Sequence, residues 1–106
     1  MRLFTLVIAS GLVFPLNAQS AAYYISGNEL IRACEGDSTL CLGYVTGVSD
    51  GVTWLHPKAF CVPDEVKNTQ LVRVVTRYLQ ENPKTLHRAA QILVSDALRR
   101  AWPCRK

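Results

Sequence analysis

The stretch CVPDEVKNTQLVRVVTRYLQENPKTLHRAAQILVSDALRRAWPC, residues 61–104, decides the fold. Leu71, Val74, Val75, Tyr78 and Leu79 make one apolar stripe at helical spacing, with Pro63 suited to the first helical position and Asp64 and Glu65 to its positive end. Asn82 then caps a new start. Pro83 stops the first helix and opens a second, along which Leu86, Ala89, Ala90, Leu93, Ala97 and Ala101 share a face. Two helices joined by so short a turn run antiparallel, which brings Cys61 beside Cys104 and predicts a disulfide between them.

Upstream, Ser26 and Glu29 have the spacing of a capping box, opening a short helix through Leu30, Ile31 and Cys34 that Glu35, Gly36 and Asp37 interrupt. By elimination Cys34 pairs with Cys41. In one continuous helix two turns would hold their α-carbons about 10 Å apart, too far for a bridge, so this pairing requires the interruption. Cys34 to Cys61 and Cys34 to Cys104 are the rival connectivities. From Ser38 to about Val52, Leu40, Tyr44, Val48 and Val52 recur every fourth residue, with Gly43, Gly47 and Gly51 in a parallel row. The spacing predicts a helix whose glycine row admits another backbone, against a strand through Leu42 to Val48 with imperfect alternation. The expected fold is all-α: a small disulfide-stapled domain of about four helices ending in an antiparallel hairpin.

Residues 1–22 read as a cleaved signal peptide. Arg2 precedes an apolar run from Leu3 to Leu16, and Ala18, Ser20, Ala21 and Ala22 offer peptidase sites. The run is shorter than the ~20 residues of a membrane span, and Pro15 breaks it. Residues 23–106 are then one exported domain, too small for a hydrophobic core alone, and its even number of cysteines supplies the staples.

Few side chains are left for chemistry. No CxxC pair, GxSxG elbow, HExxH helix or phosphate-binding glycine loop occurs. A metal site would need His56 and His87 to converge with thiols that the disulfides consume, so neither a metal nor another cofactor is expected. His87 is expected on a helix surface. Charge divides unevenly: Ala21 to Cys61 carry two basic residues against four acidic, and Val62 to Lys106 carry nine against four. Nucleic acid is not expected as the partner, because the chain is exported and its aromatics do not interleave with its arginines. Arg73, Arg77, Arg88, Arg99 and Arg100 read as solvated helix faces.

Between the halves, Trp54, Leu55, His56, Pro57, Lys58, Ala59 and Phe60 form a proline-broken loop rich in large apolar groups. Trp54 either anchors a contact or folds back over a thin core.

The string from Cys41 through Tyr44, Gly47 and Asp50 to Gly51 resembles the Rap/Tai family of immunity proteins. So do Cys61-Val-Pro63, Val66, Gln70, Val74, Tyr78-Leu79, Pro83, Leu86, Ala90, Ala97-Leu98 and Ala101-Trp-Pro-Cys104. The resemblance runs from Leu30 to Cys104, and Cys34 fits it. It implies a small helical periplasmic protein, usually dimeric, that binds and blocks a peptidoglycan amidase effector delivered by type VI secretion. The expected mechanism is occlusion of the amidase's catalytic cleft without reaction on the inhibitor. Trp54, Leu55, His56 and Lys58 are the expected contacts, with Tyr44 and Asp50 shaping the helix end before them. Dimerisation is expected through the glycine row and an outward Val72, Val94 and Leu98. The competing reading is a general periplasmic binding or chaperone-like protein with an apolar helical groove and no cognate toxin. An enzyme would need a nucleophile or acid–base pair, and none is in view.

Overall fold

A computed structural model describes residues 24–105 and holds four α-helices: α1 (Gly27–Glu35), α2 (Ser38–Leu55), α3 (Asn68–Glu81) and α4 (Ala90–Ala101), with a 3-10 turn at Pro83–Thr85. The expected signal peptide, residues 1–22, lies outside the described residues. Each helix packs against the other three. Their shared core holds Leu30 from α1, Cys41 and Val45 from α2, Leu71, Val75 and Leu79 from α3, and Ala90, Leu93, Val94, Ala97 and Leu98 from α4, closed by Phe60.

The capping box is present in both directions. Ser26 Oγ accepts from the Glu29 amide at 3.2 Å and Glu29 Oε1 accepts from the Ser26 amide at 2.8 Å. The break after Glu35 is equally local. The Gly36 amide folds back onto the Arg32 carbonyl, and Asp37 Oδ1 accepts from the Thr39 amide to cap α2. The break lets the Cys34–Cys41 disulfide join α1 to α2 with α-carbons 4.8 Å apart; Cys61–Cys104 closes the second half at 4.9 Å. The rival connectivities are excluded.

The second helix is a helix throughout, not a strand, and it runs to Leu55. Trp54 and Leu55 are therefore its last two residues rather than part of a loop. Its buried row is Cys41, Val45 and Ser49, with Tyr44, Val48 and Val52 half-buried beside it; Leu40, the first of that four-residue series, is exposed. Among the described residues, no backbone approaches the glycine row. A Cβ added at Gly43, Gly47 or Gly51 would meet nothing within 4 Å. Each glycine costs α2 about 0.5–1 kcal/mol relative to alanine, with no packing from the described residues to offset it.

The hairpin is antiparallel as expected, but both of its starts are corrected. Pro63, Asp64 and Glu65 precede α3 rather than opening it. The Val66 amide closes a turn on the Pro63 carbonyl at 3.1 Å, and the helix begins at Asn68. The chain entering this turn is tied to the far end of the domain, where the Cys61 amide donates to the Trp102 carbonyl at 2.8 Å. The last helix begins at Ala90, seven residues after Pro83. Asn82 and Pro83 open only the 3-10 turn, without a side-chain capping bond; the Asn82 side-chain amide instead donates to the Tyr78 carbonyl at 2.8 Å, finishing α3. His87 accordingly lies exposed in the connection, not on a helix.

The start of α4 is supplied from elsewhere in the chain. The Ala90 amide donates to the Ile25 carbonyl at 2.8 Å. In return the Gly27 amide bonds the Arg88 carbonyl at 2.9 Å and the Asn28 amide bonds the Leu86 carbonyl at 2.8 Å. Ser26 and Ala89 pair as an isolated antiparallel bridge at the centre of this clip. The packing of α4 overturns a further expectation. Val94 and Leu98, assigned outward, are fully buried because α4 touches three helices, and Val72 is half-buried against the core.

Candidate functional site

The end of α2 projects from the fold as a fixed corner. His56 precedes Pro57, whose ring disfavours a helical conformation before it, and His56 takes φ −137° and ψ 77°. Its amide still reaches the Val52 carbonyl at 2.7 Å, and the Ala59 amide closes a turn on the His56 carbonyl at 2.9 Å. Phe60 then turns into the core at 3% exposure and Cys61 is bridged to Cys104. The corner is thus anchored on both sides while Trp54 stands 83% exposed and Leu55 69%. Trp54 does not fold back over the core; Phe60 fills that role.

Leu55 and His56 form the lip of a groove of about 540 Å³ between α2 and α4, floored by Val48, Val52 and Ile92 and edged by Arg99. Asp96 at the same edge accepts from Arg99 at 2.7 Å and lies 3.7 Å from Arg88, so the polar rim is internally paired. Exposed pairs of this kind contribute about 0–1 kcal/mol and hold side chains in place more than they stabilise. A larger hollow of about 830 Å³ follows α3 past Cys34, Arg73, Arg77 and Glu81, but its walls are mostly the exposed side chains of one helix.

The structure brings Trp54, Leu55, His56 and Lys58 together at this corner, all exposed. Asp50, the sole charged residue of α2, lies one turn back on its exposed side. Tyr44 is placed differently. Half-buried three turns back, its phenolic oxygen accepts from the Gln91 backbone amide in the first turn of α4, a helix whose N-cap, Ala89, has no capping side chain. Ile92, 41% exposed on the groove floor, has no counterpart among the expected contacts, because the groove exists only where α4 lies beside α2.

Burial raises the Tyr44 pKa above the usual tyrosine value of 10.0, partly opposed by the Gln91 amide. The unfolded chain therefore ionises at lower pH than the folded one. The contribution of Tyr44 is complete below the unfolded value and is lost as pH rises through the folded value. Thermal melts of Tyr44→Phe against the parent across about pH 9 to 11 should show a shallower alkaline decline, with a loss of about 0.5–1.5 kcal/mol at neutral pH from the missing hydrogen bond. Parallel alkaline declines would remove the assignment.

Among the described residues, no three His, Cys, Asp or Glu side chains converge as a metal site, and all four cysteines are in disulfides. No helix among them is long and apolar enough to cross a membrane. The arrangement offers a rigid apolar corner beside a shallow groove, which suits contact with a protein.

A search of curated proteins returned no match. The family model of the Rap1a immunity proteins matches residues 26–104, from the cap of α1 to the second cysteine of the hairpin staple, and on that match the chain belongs to the Rap1a immunity protein family.

Proposed function

We propose that this protein is a periplasmic immunity protein that binds a peptidoglycan amidase effector of type VI secretion and inhibits it by occluding the active site. Family membership supports the coarse reading, an immunity protein directed at a secreted toxin. The exposure of Trp54 on a corner anchored at both ends supports the contact surface. A tryptophan on a backbone already held in place spares binding the cost of ordering the chain, which favours its use as an anchor.

In this reading Trp54 and Leu55 cover the mouth of the amidase cleft, His56 and Lys58 supply polar contacts at its rim, and Asp50 and Tyr44 support the helix end behind them. The inhibitor undergoes no reaction. It is made with a leader that is removed on export, and it works as a homodimer.

Titrating oxidised protein into the amidase encoded nearest its gene, following substrate cleavage and complex mass together, tests the function. Stoichiometric inhibition with a defined complex is the expected result. Trp54→Ala combined with Lys58→Ala should weaken inhibition about 30-fold or more, the equivalent of about 2 kcal/mol at a hot spot. Unchanged inhibition by the double variant would move the contact elsewhere. Weak binding to many unrelated unfolded clients, with none to the amidase, would favour the chaperone-like alternative that the open apolar groove allows.

A further inference from the structure

Three of the large apolar side chains that stand in solvent meet at one place. Trp54 and Leu55 end α2, and Ile92 is, among the described residues, the one large apolar side chain that α4 exposes. Leu55 and Ile92 line the same groove, over Val48 and Val52. From Val48 to Leu55 the α2 wall runs about 10 Å at 1.5 Å per residue, nearly two helical turns. Gly51 belongs to that wall, and a Cβ there would meet no described atom within 4 Å, so the wall stays low.

The edge of the groove has a sign. Of the residues that line it, Asp96 is the one acid, and its carboxylate is shared by two exposed guanidiniums, Arg99 at 2.7 Å and Arg88 at 3.7 Å. One negative charge between two positive ones leaves the edge cationic. Asp50 does not offset it, because a residue two positions from both Val48 and Val52 lies on the far side of the helix. The complementary partner presents a carboxylate beside apolar side chains.

The backbone around the groove selects the shape of that partner. Both walls are helices whose amides are bonded within the chain. Even in the first turn of α4 the Gln91 amide is taken by Tyr44 and the Ile92 amide by the Ala89 carbonyl. An extended segment would find no main-chain partners on these walls, whereas a helix satisfies its own backbone and brings only side chains. Two apolar residues four positions apart stand about 6 Å apart along a helix, which the 10 Å wall accommodates.

We infer that the groove between α2 and α4 receives an amphipathic helix of the amidase, two apolar side chains seated among Val48, Val52 and Ile92 and an acidic one on Arg99. The inference rests on the proposed function and deepens it by naming the chemistry of the partner segment. Trp54 covers the cleft while the groove beside it holds the effector in register.

Groove variants titrated into the amidase encoded nearest the gene test this. Ile92→Glu should weaken the complex about 30-fold or more, by setting a charge on the apolar floor and against the partner's carboxylate. A glutamate in the first turn of α4 suits the helix, so the fold is kept. Arg99→Glu should weaken it about 10-fold or more and flatten the slowing of association by salt. Gly51→Leu, which fills the groove from its wall, should weaken binding while melting at or above the parent temperature, since leucine is the better helix former. That variant separates blocked binding from damaged folding. A benzophenone side chain in place of Ile92 should crosslink to an amidase helix that carries an aspartate or glutamate within one turn of the adduct. An adduct on an extended or basic segment overturns the occupant. Parent-like binding by all three variants, with the Trp54→Ala and Lys58→Ala double variant still defective, overturns the groove and leaves the corner standing. A parent that neither binds nor inhibits the amidase overturns the proposed function and this inference together.

Discussion

Replacing Cys61 and Cys104 together by alanine is expected to lower stability by about 4 kcal/mol, from the loop entropy released when a crosslink spanning 43 residues of sequence is removed. Domains are stable by only about 5–15 kcal/mol, with small ones towards the lower end, so this variant should be largely unfolded near 37 °C. The local setting adds to the effect. The staple fixes the strand of chain that carries Phe60 into the core, and the Cys61 amide to Trp102 carbonyl bond sits beside it. The short Cys34–Cys41 link, with seven residues of separation, should cost about 2.5 kcal/mol when removed the same way. Denaturant titration of the two variants measures the difference. Equal midpoints would mean that the hairpin closes without its staple.

Gly27→Ala should be the most damaging single-methyl change in the described chain. A Cβ at Gly27 would overlap Leu93 Cδ1 and lie 2.9 Å from the Leu86 carbonyl oxygen and 3.1 Å from its α-carbon. Leu93 is fully buried and cannot swing into solvent, and the Leu86 carbonyl is already bonded to the Asn28 amide. Relief therefore requires α1 to lift away from the 86–90 segment, which strains the clip formed by the Gly27, Asn28 and Ala90 amides. A cost of about 2–3 kcal/mol follows from overpacking, or roughly 10–20 °C in melting temperature for a domain of this size. Gly27→Ala melting with the parent would show that the clip yields freely, which its buried position argues against.

The parts of the fold legible in the sequence are those whose cause is local. Ser26 and Glu29 satisfy each other within one turn, Gly36 and Asp37 break and restart the chain in place, and the cysteines follow from that break and from the hairpin. The misplaced starts have distant causes. Pro63, Asp64 and Glu65 have the composition of a helix start, yet the chain there is committed to reaching Trp102. Ala89 carries no capping side chain, and α4 begins where the carbonyl of Ile25 and the phenol of Tyr44 meet its free amides. No short-range rule places a start supplied from residue 25. Contact with three helices buries a wider face of α4 than the single stripe read from the sequence, and so takes in Val94 and Leu98. At the candidate site, the exposed corner could be picked out because Trp54, Pro57 and Lys58 stand together in sequence, whereas the groove is made by two helices about 40 residues apart whose contact no local pattern gives.

The clip between Ile25, Gly27 and Asn28 and the segment from Leu86 to Ala90 also governs when folding can finish. A chain that emerges amino end first, from a ribosome or through a translocation channel, presents α1 long before its binding partner exists. Helix α1 can form by its capping box and join α2 through the early disulfide, but the buried face around Leu30 stays open until the last helix arrives. Completion therefore waits for the carboxyl end, and the high sequence separation of these contacts makes that closing step slower than helix formation. Shortening the chain before Ala90 would cost the first helix its seat as well as removing the last, so the two ends of the domain stand or fall as one cooperative unit.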